Sequence, residues 1–264
     1  MAEAHSDGIA IRYEDVGEGE PALLCLPGWC SSRAKYDDFA GRLAAHRRVL
    51  ALDWRGHGRS DRAAGDFDEA ALVRDALAVI AASGAQQVVP LATAHAGWVA
   101  IELRRALGAA RVPRLVLVDW IVTAAPPPFL GGLAALQRPD QWQAVRDQLF
   151  AMWLEGVDDA NVVRFVREDM GSYGFDMWAR AGREIAAAYA RAHSPLEALA
   201  QLSPPPPTLH VYAQPADPAY LQAQRQFAAT HPWLEVERID ARSHFPTLEA
   251  PERVAARVER FLAG

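Results

Sequence analysis

Short apolar runs alternate with longer amphipathic stretches along most of the chain. The runs Ile9–Tyr13, Ala22–Leu26, Arg48–Asp53, Gln87–Leu91, Arg114–Asp119, Thr208–Ala213 and Leu234–Ile239 have the length and β-branched content of strands. Helical spacing predicts helices over Tyr36–Ala45, Asp68–Ser83, Gly97–Leu107, Tyr220–Thr230 and Pro251–Leu262. Pro251 suits a first helical turn, where its missing N–H leaves no bond unmade. Strands that are apolar at nearly every position are buried on both faces. Joined through helices, they imply an α/β fold with a mostly parallel sheet covered on both sides.

From Pro126 to Pro207 the alternation stops, and the segment reads as helix after helix with no convincing strand. It is bounded by Pro126-Pro127-Pro128 and by the run Pro204 to Pro207, and proline runs continue neither helix nor central strand. The expected organisation is therefore a core of residues 1–125 and 208–264 carrying an inserted helical cap, residues 126–207. No internal repeat or low-complexity tract interrupts it.

Composition narrows the partners. A hydrophobic fraction of 51% and a charged fraction of 23% fit a globular chain of 264 residues. The net charge of -6 leaves no basic footprint for nucleic acid or an anionic membrane face. The N-terminal residues have neither a basic nor an apolar leader segment, so a cytoplasmic protein is expected. Cys25 and Cys30 are too few for a disulfide framework, and no second Cys/His pair accompanies them at metal-ligand spacing. Gly17-Glu18-Gly19-Glu20-Pro21 imitates a dinucleotide fingerprint but precedes its strand and is broken by proline.

Open parallel sheets bind ligands at the carboxyl ends of their strands, so the residues just beyond each run carry the first chemical reading. Tryptophans cluster there: Trp29, Trp54, Trp98 and Trp120, which suggests an aromatic-walled pocket. Ala92-Thr93-Ala94-His95-Ala96 has the small-x-nucleophile-x-small form of a strand-to-helix elbow, with Ala94 at the centre. An alanine cannot attack an acyl carbon, and Thr93 is one residue out of frame, so ordinary Ser-His-Asp hydrolysis is not available. His244 is the candidate base. Its acid is Asp119, delivered to a strand tip by an apolar run, or Asp217, whose position before Pro218 also fits a helix N-cap.

Taken together, Pro27-Gly28-Trp29-Cys30, the stretch Asp53 to His57, Thr93-x-His95-x-x-Trp98-Val99, Val118-Asp119-Trp120, Ala213-Gln214-Pro215 and Ser243-His244-Phe245-Pro246 resemble one small family. It is the cofactor-independent 2,4-dioxygenases of 3-hydroxy-4(1H)-quinolones, which have the α/β-hydrolase fold and release carbon monoxide. Phe150 to Trp153, Glu168 to Met170 and Ser194 to Leu196 extend the similarity through the cap segment. The resemblance implies that His244 takes the substrate's 3-hydroxyl proton and that Asp119 orients the imidazole. It makes the backbone N–H groups of Trp29 and His95 a former oxyanion hole beside Ala94. Trp153, Trp120 and Trp98 join His95 as pocket residues. No metal or organic cofactor is implied; the partners are a small aromatic heterocycle and dioxygen, handled by a monomer or weak homodimer.

Two positions depart from the pattern. Ala94 stands where relatives usually carry a serine, thought to hydrogen-bond substrate, and Ser31 stands where some place a histidine. The cap opening, Pro126 to Leu136, is rich in Pro, Phe, Leu and Ala and could hold a 2-alkyl chain. Two other readings remain: a hydrolase using a His244-activated water, and an inactive hydrolase scaffold that binds a small molecule.

Overall fold

The computed structural model describes residues 1–264. Eight strands form one sheet: β1 (Ala2–Ser6), β2 (Ile9–Val16), β3 (Ala22–Leu26), β4 (Val49–Leu52), β5 (Val88–Thr93), β6 (Leu115–Val118), β7 (Thr208–Tyr212) and β8 (Leu234–Arg238). The order is β1-β2-β4-β3-β5-β6-β7-β8. The first two pairings are antiparallel and the rest parallel, so the α/β expectation and its mostly parallel sheet hold. Strand β1 has no sequence signal. Its residues are small or polar, burying Ala4 and Ser6 while Glu3 and His5 face outward, and it adds only an edge to β2.

The five inner strands β3 to β7 are buried at every position, and the alternation of their side chains divides the core in two. Leu24 and Leu26 point to one face, packed with α2 (Glu69–Ser83) and α3 (Ala96–Arg111). Leu23 and Cys25 point to the other, packed with α1 (Asp37–Leu43) and with α11 (Pro251–Ala263), which follows the short α10 (Pro246–Glu249). Helix α3 departs from helical geometry at Gly108 (φ 74°), which is why its periodicity stops at Leu107. Helix α9 (Pro218–Thr230) links β7 to β8.

Between β6 and β7 the chain runs through α4 (Pro127–Leu136), α5 (Trp142–Trp153), α6 (Ala160–Arg164), a π-helical turn at Phe165–Asp169, α7 (Phe175–Ala192) and α8 (Pro195–Ala200), with no strand. This segment is tied to the core by Tyr189, whose hydroxyl donates to the Ile121 carbonyl, by the Leu196 N–H donating to Val122, and by Asp169 accepting from Ser32. No helix is long and apolar enough to cross a membrane.

Candidate active site

Three non-glycine residues at the carboxyl ends of adjacent parallel strands have left-handed backbones: Cys30 beyond β3 (φ 53°), Ala94 after β5 (φ 49°) and Asp119 after β6 (φ 49°). Such conformations cost free energy and cluster where geometry serves function. The elbow is close-packed. A Cβ on Gly28 would lie 3.6 Å from the Ala94 methyl, and a Cβ on Gly97 would fall 2.1 Å from the Trp120 ring. The backbone of Gly28 and Trp29 thus passes directly over Ala94. Neither the Trp29 nor the His95 backbone N–H makes a hydrogen bond within the protein.

His244, between β8 and α10, brings Nδ1 to 3.3 Å from Asp119 Oδ1. The Asp119 side chain is fully buried and also accepts from the N–H groups of Ala213 (3.3 Å) and Gln214 (3.2 Å) beyond β7. The imidazole stacks on Trp153 of α5, with ring centres 5.5 Å apart and planes 17° apart. Asp217 is elsewhere: it is exposed and caps α9 by accepting from the Ala219 N–H at 2.8 Å. Thr93 turns away to the Tyr36 hydroxyl on the far face of the sheet.

His95 is held as a neutral ring. The indole N–H of Trp120 donates to its Nδ1 at 3.1 Å, Phe129 of α4 stacks on it at 5.5 Å, and Tyr189 of α7 meets it edge-on. Burial, then the neighbouring His244, pushes its pKa down to about 3. With Nδ1 accepting, the proton sits on Nε2, which has no partner in the protein and can donate to a bound oxygen. Trp120 and Trp98, packed edge to face at 5.0 Å, stand behind His95, at 1% and 3% exposure. Their indoles support the site from within the core rather than lining its surface. Trp29 is partly exposed and stacks on Phe67.

Residues 23–257 match the alpha/beta hydrolase family. A 2-heptyl-3-hydroxy-4(1H)-quinolone dioxygenase of Mycobacteroides abscessus is 38% identical over 98% of this chain and 96% of its own length. The chain belongs to the 3-hydroxy-4-quinolone dioxygenase family. The 1H-3-hydroxy-4-oxoquinoline 2,4-dioxygenase of Pseudomonas putida is 37% identical over 99% of both chains. A solved structure of an AqdC variant with its substrate, the Pseudomonas quinolone signal, superposes with a TM-score of 0.95 at 37% identity, covering 100% of this chain and 99% of the other.

Within this dioxygenase family member, the conspicuous stretch from Asp53 to Ser60 is structural. The Asp53 carboxylate accepts from the N–H groups of Arg33 (2.7 Å) and Arg59 (3.0 Å), and a Cβ on Gly58 would strike it at 2.3 Å. Trp54 donates to the Pro27 carbonyl at 2.6 Å, and Arg55 pairs with buried Asp75. His57 accepts from the Cys30 N–H at Nε2 and bonds the Arg55 carbonyl through Nδ1, so both ring nitrogens are used. Cys30 is fully enclosed, its thiol pushed up by burial, and does not face the cleft. Ser31 is buried with its hydroxyl unpartnered. Phe129 lies in the cap opening singled out from the sequence, but its stacking on His95 was not legible, and neither was Tyr189, which reaches His95 from a helix far along the chain and sits in no local motif.

Proposed function

We propose that this chain is a 2,4-dioxygenase that cleaves a 3-hydroxy-4(1H)-quinolone with dioxygen, His244 acting as base and Asp119 as its orienting acid. The observation that carries this reading is a His244–Asp119 pair set beside an elbow whose centre is a methyl group. The elbow offers no nucleophile, while a base and two free backbone N–H groups remain. His244 takes the 3-hydroxyl proton, the resulting electron-rich anion reduces dioxygen, and His95 Nε2 with the Trp29 and His95 N–H groups holds substrate or reacting oxygen. Both atoms of dioxygen enter the organic product, an N-acylanthranilate, and one ring carbon leaves as carbon monoxide. No step draws on a metal or organic cofactor.

The relatives named for the 2-heptyl compound and for the Pseudomonas quinolone signal support a 2-alkyl substrate. Residues 126–207 serve as the cap, with α4 placing Phe129 over His95 and exposing Leu130 beside it. Free Cys25 and Cys30 accord with a reducing, cytoplasmic setting. Steady-state turnover of the 2-heptyl against the 2-methyl quinolone tests the substrate: a higher kcat/KM for heptyl is expected, and parity removes the alkyl assignment.

A further inference from the structure

The chain contains a single lysine, Lys35, and it is buried at 2% exposure in the short turn Arg33–Tyr36 before α1. Lysine is almost never fully buried unless paired. Here Nζ has no carboxylate within 4 Å and donates no hydrogen bond in the protein; it lies instead over the rings of Tyr36 (5.6 Å), Phe165 (5.8 Å) and Phe245 (5.4 Å). Phe245 follows His244 in the chain and meets both the His244 ring (5.4 Å, 69°) and Trp153 (5.7 Å, 86°) edge-on. One ring therefore touches the ammonium and the base alike.

We propose that Lys35 is a positioning residue for ring cleavage, a buried counter-charge that acts across the Phe245 ring on the His244–Asp119 pair while substrate becomes an anion above it. This rests on the quinolone reading. With quinolonate, imidazolium, the Asp119 carboxylate and the Lys35 ammonium together, the charges cancel; without Lys35 a net negative charge stays in a dry site. No other group supplies it. Arg33 is turned to Glu14 and Asp37 (2.9 Å each), and Asp53 is bound by backbone N–H groups. Asp169 accepts from the Ser32 N–H and hydroxyl, burial pushing its carboxyl up against those bonds and the attraction of Lys35, and Tyr36 donates to the Leu26 carbonyl. Burial draws the Lys35 ammonium down to about 7, against the attraction of Asp119 and Asp169.

Removing a positive charge raises the proton affinity of every group around it, so Lys35→Met should move the acid limb of kcat/KM upward by about one pH unit. The difference from the natural protein should close above about pH 7, where Lys35 sheds its own proton. A second measurement needs no variant. Full-length protein labelled with 13C- and 15N-lysine gives one side-chain signal, titrated anaerobically with and without 2-heptyl-3-hydroxy-4(1H)-quinolone. The midpoint should rise when the quinolonate absorbance forms. Quinolonate formation with no movement of the midpoint, or a Lys35→Met pH profile superimposed on the natural one, overturns the proposal. Failure to form quinolonate at all overturns the quinolone reading, and the inference with it.

Discussion

Replacing Asp119 by asparagine removes a charge while keeping the side chain's shape. Asp119 is fully buried and 3.3 Å from His244 Nδ1, so the lost interaction is a close imidazole–carboxylate contact shielded from water, which tightens into a charge-assisted hydrogen bond as the imidazolium forms. Such bonds contribute about 1.5–3 kcal/mol. If the imidazolium forms only as substrate loses its proton, that free energy is lost from the transition state. At about 1.4 kcal/mol per decade, kcat/KM should fall about tenfold to about 150-fold. The amide has one oxygen for the two N–H groups of Ala213 and Gln214, so folding stability should also drop by about 1–3 kcal/mol. Oxygen uptake at low substrate concentration measures the first effect and calorimetry the second. Asp217→Ala is the control: it loses one N-cap bond, about 1 kcal/mol of stability, and should leave kcat/KM within about twofold. A larger activity loss in Asp217→Ala than in Asp119→Asn would refute the acid assignment.

His244→Ala should lower kcat/KM by about a hundredfold to ten-thousandfold at neutral pH and recover partly at alkaline pH, where substrate ionises unaided; a flat deficit across pH would contradict its role as base. Ala94→Ser restores a hydroxyl at the elbow and should lower KM about two- to tenfold through one neutral hydrogen bond, read from steady-state kinetics. Gly97→Ala drives a methyl into the Trp120 ring, which bonds His95, so a loss of about 1–3 kcal/mol by thermal unfolding should accompany a raised KM. Burial pushes His57 and His210 down to about 4, so the folded protein stays neutral where the unfolded chain, near pKa 6.5, takes up protons. Their stabilisation is complete above about pH 6.5 and falls between there and about pH 4, by up to about 1.4 kcal/mol per unit for each ring; Tm followed over that range should fall, less steeply in His57→Gln.

What could be read along the chain was whatever local pattern carries. Five inner strands are apolar at every position because both faces are covered, and Asp119 stood out because a carboxylate ends such a run. Strand β1 was invisible because its pairing, not its side chains, makes it a strand. Four tryptophans at strand ends suggested one wall, but Trp54, Trp98 and Trp120 are core supports, and the partly exposed aromatic surface is shared by Trp29 with Trp153 and Phe129 of the insertion. The richest motif, Asp53 to Ser60, mimics chemistry while holding loops together, since its carboxylate and histidine spend their capacity on backbone partners. Lys35 had one signal, that it is the chain's only lysine, and no local motif marks it for the site. Its burial among aromatic rings depends on the insertion and the His244 loop meeting over one turn.

The most direct test of the account is anaerobic mixing of metal-free protein with 2-heptyl-3-hydroxy-4(1H)-quinolone, followed by admission of oxygen. The account predicts a red shift to the quinolonate, then oxygen-dependent bleaching with carbon monoxide released one for one with substrate lost, both steps suppressed at neutral pH in His244→Ala. A shift without bleaching would mark a binding protein, and the absence of any shift would contradict the assignment of His244 as the base.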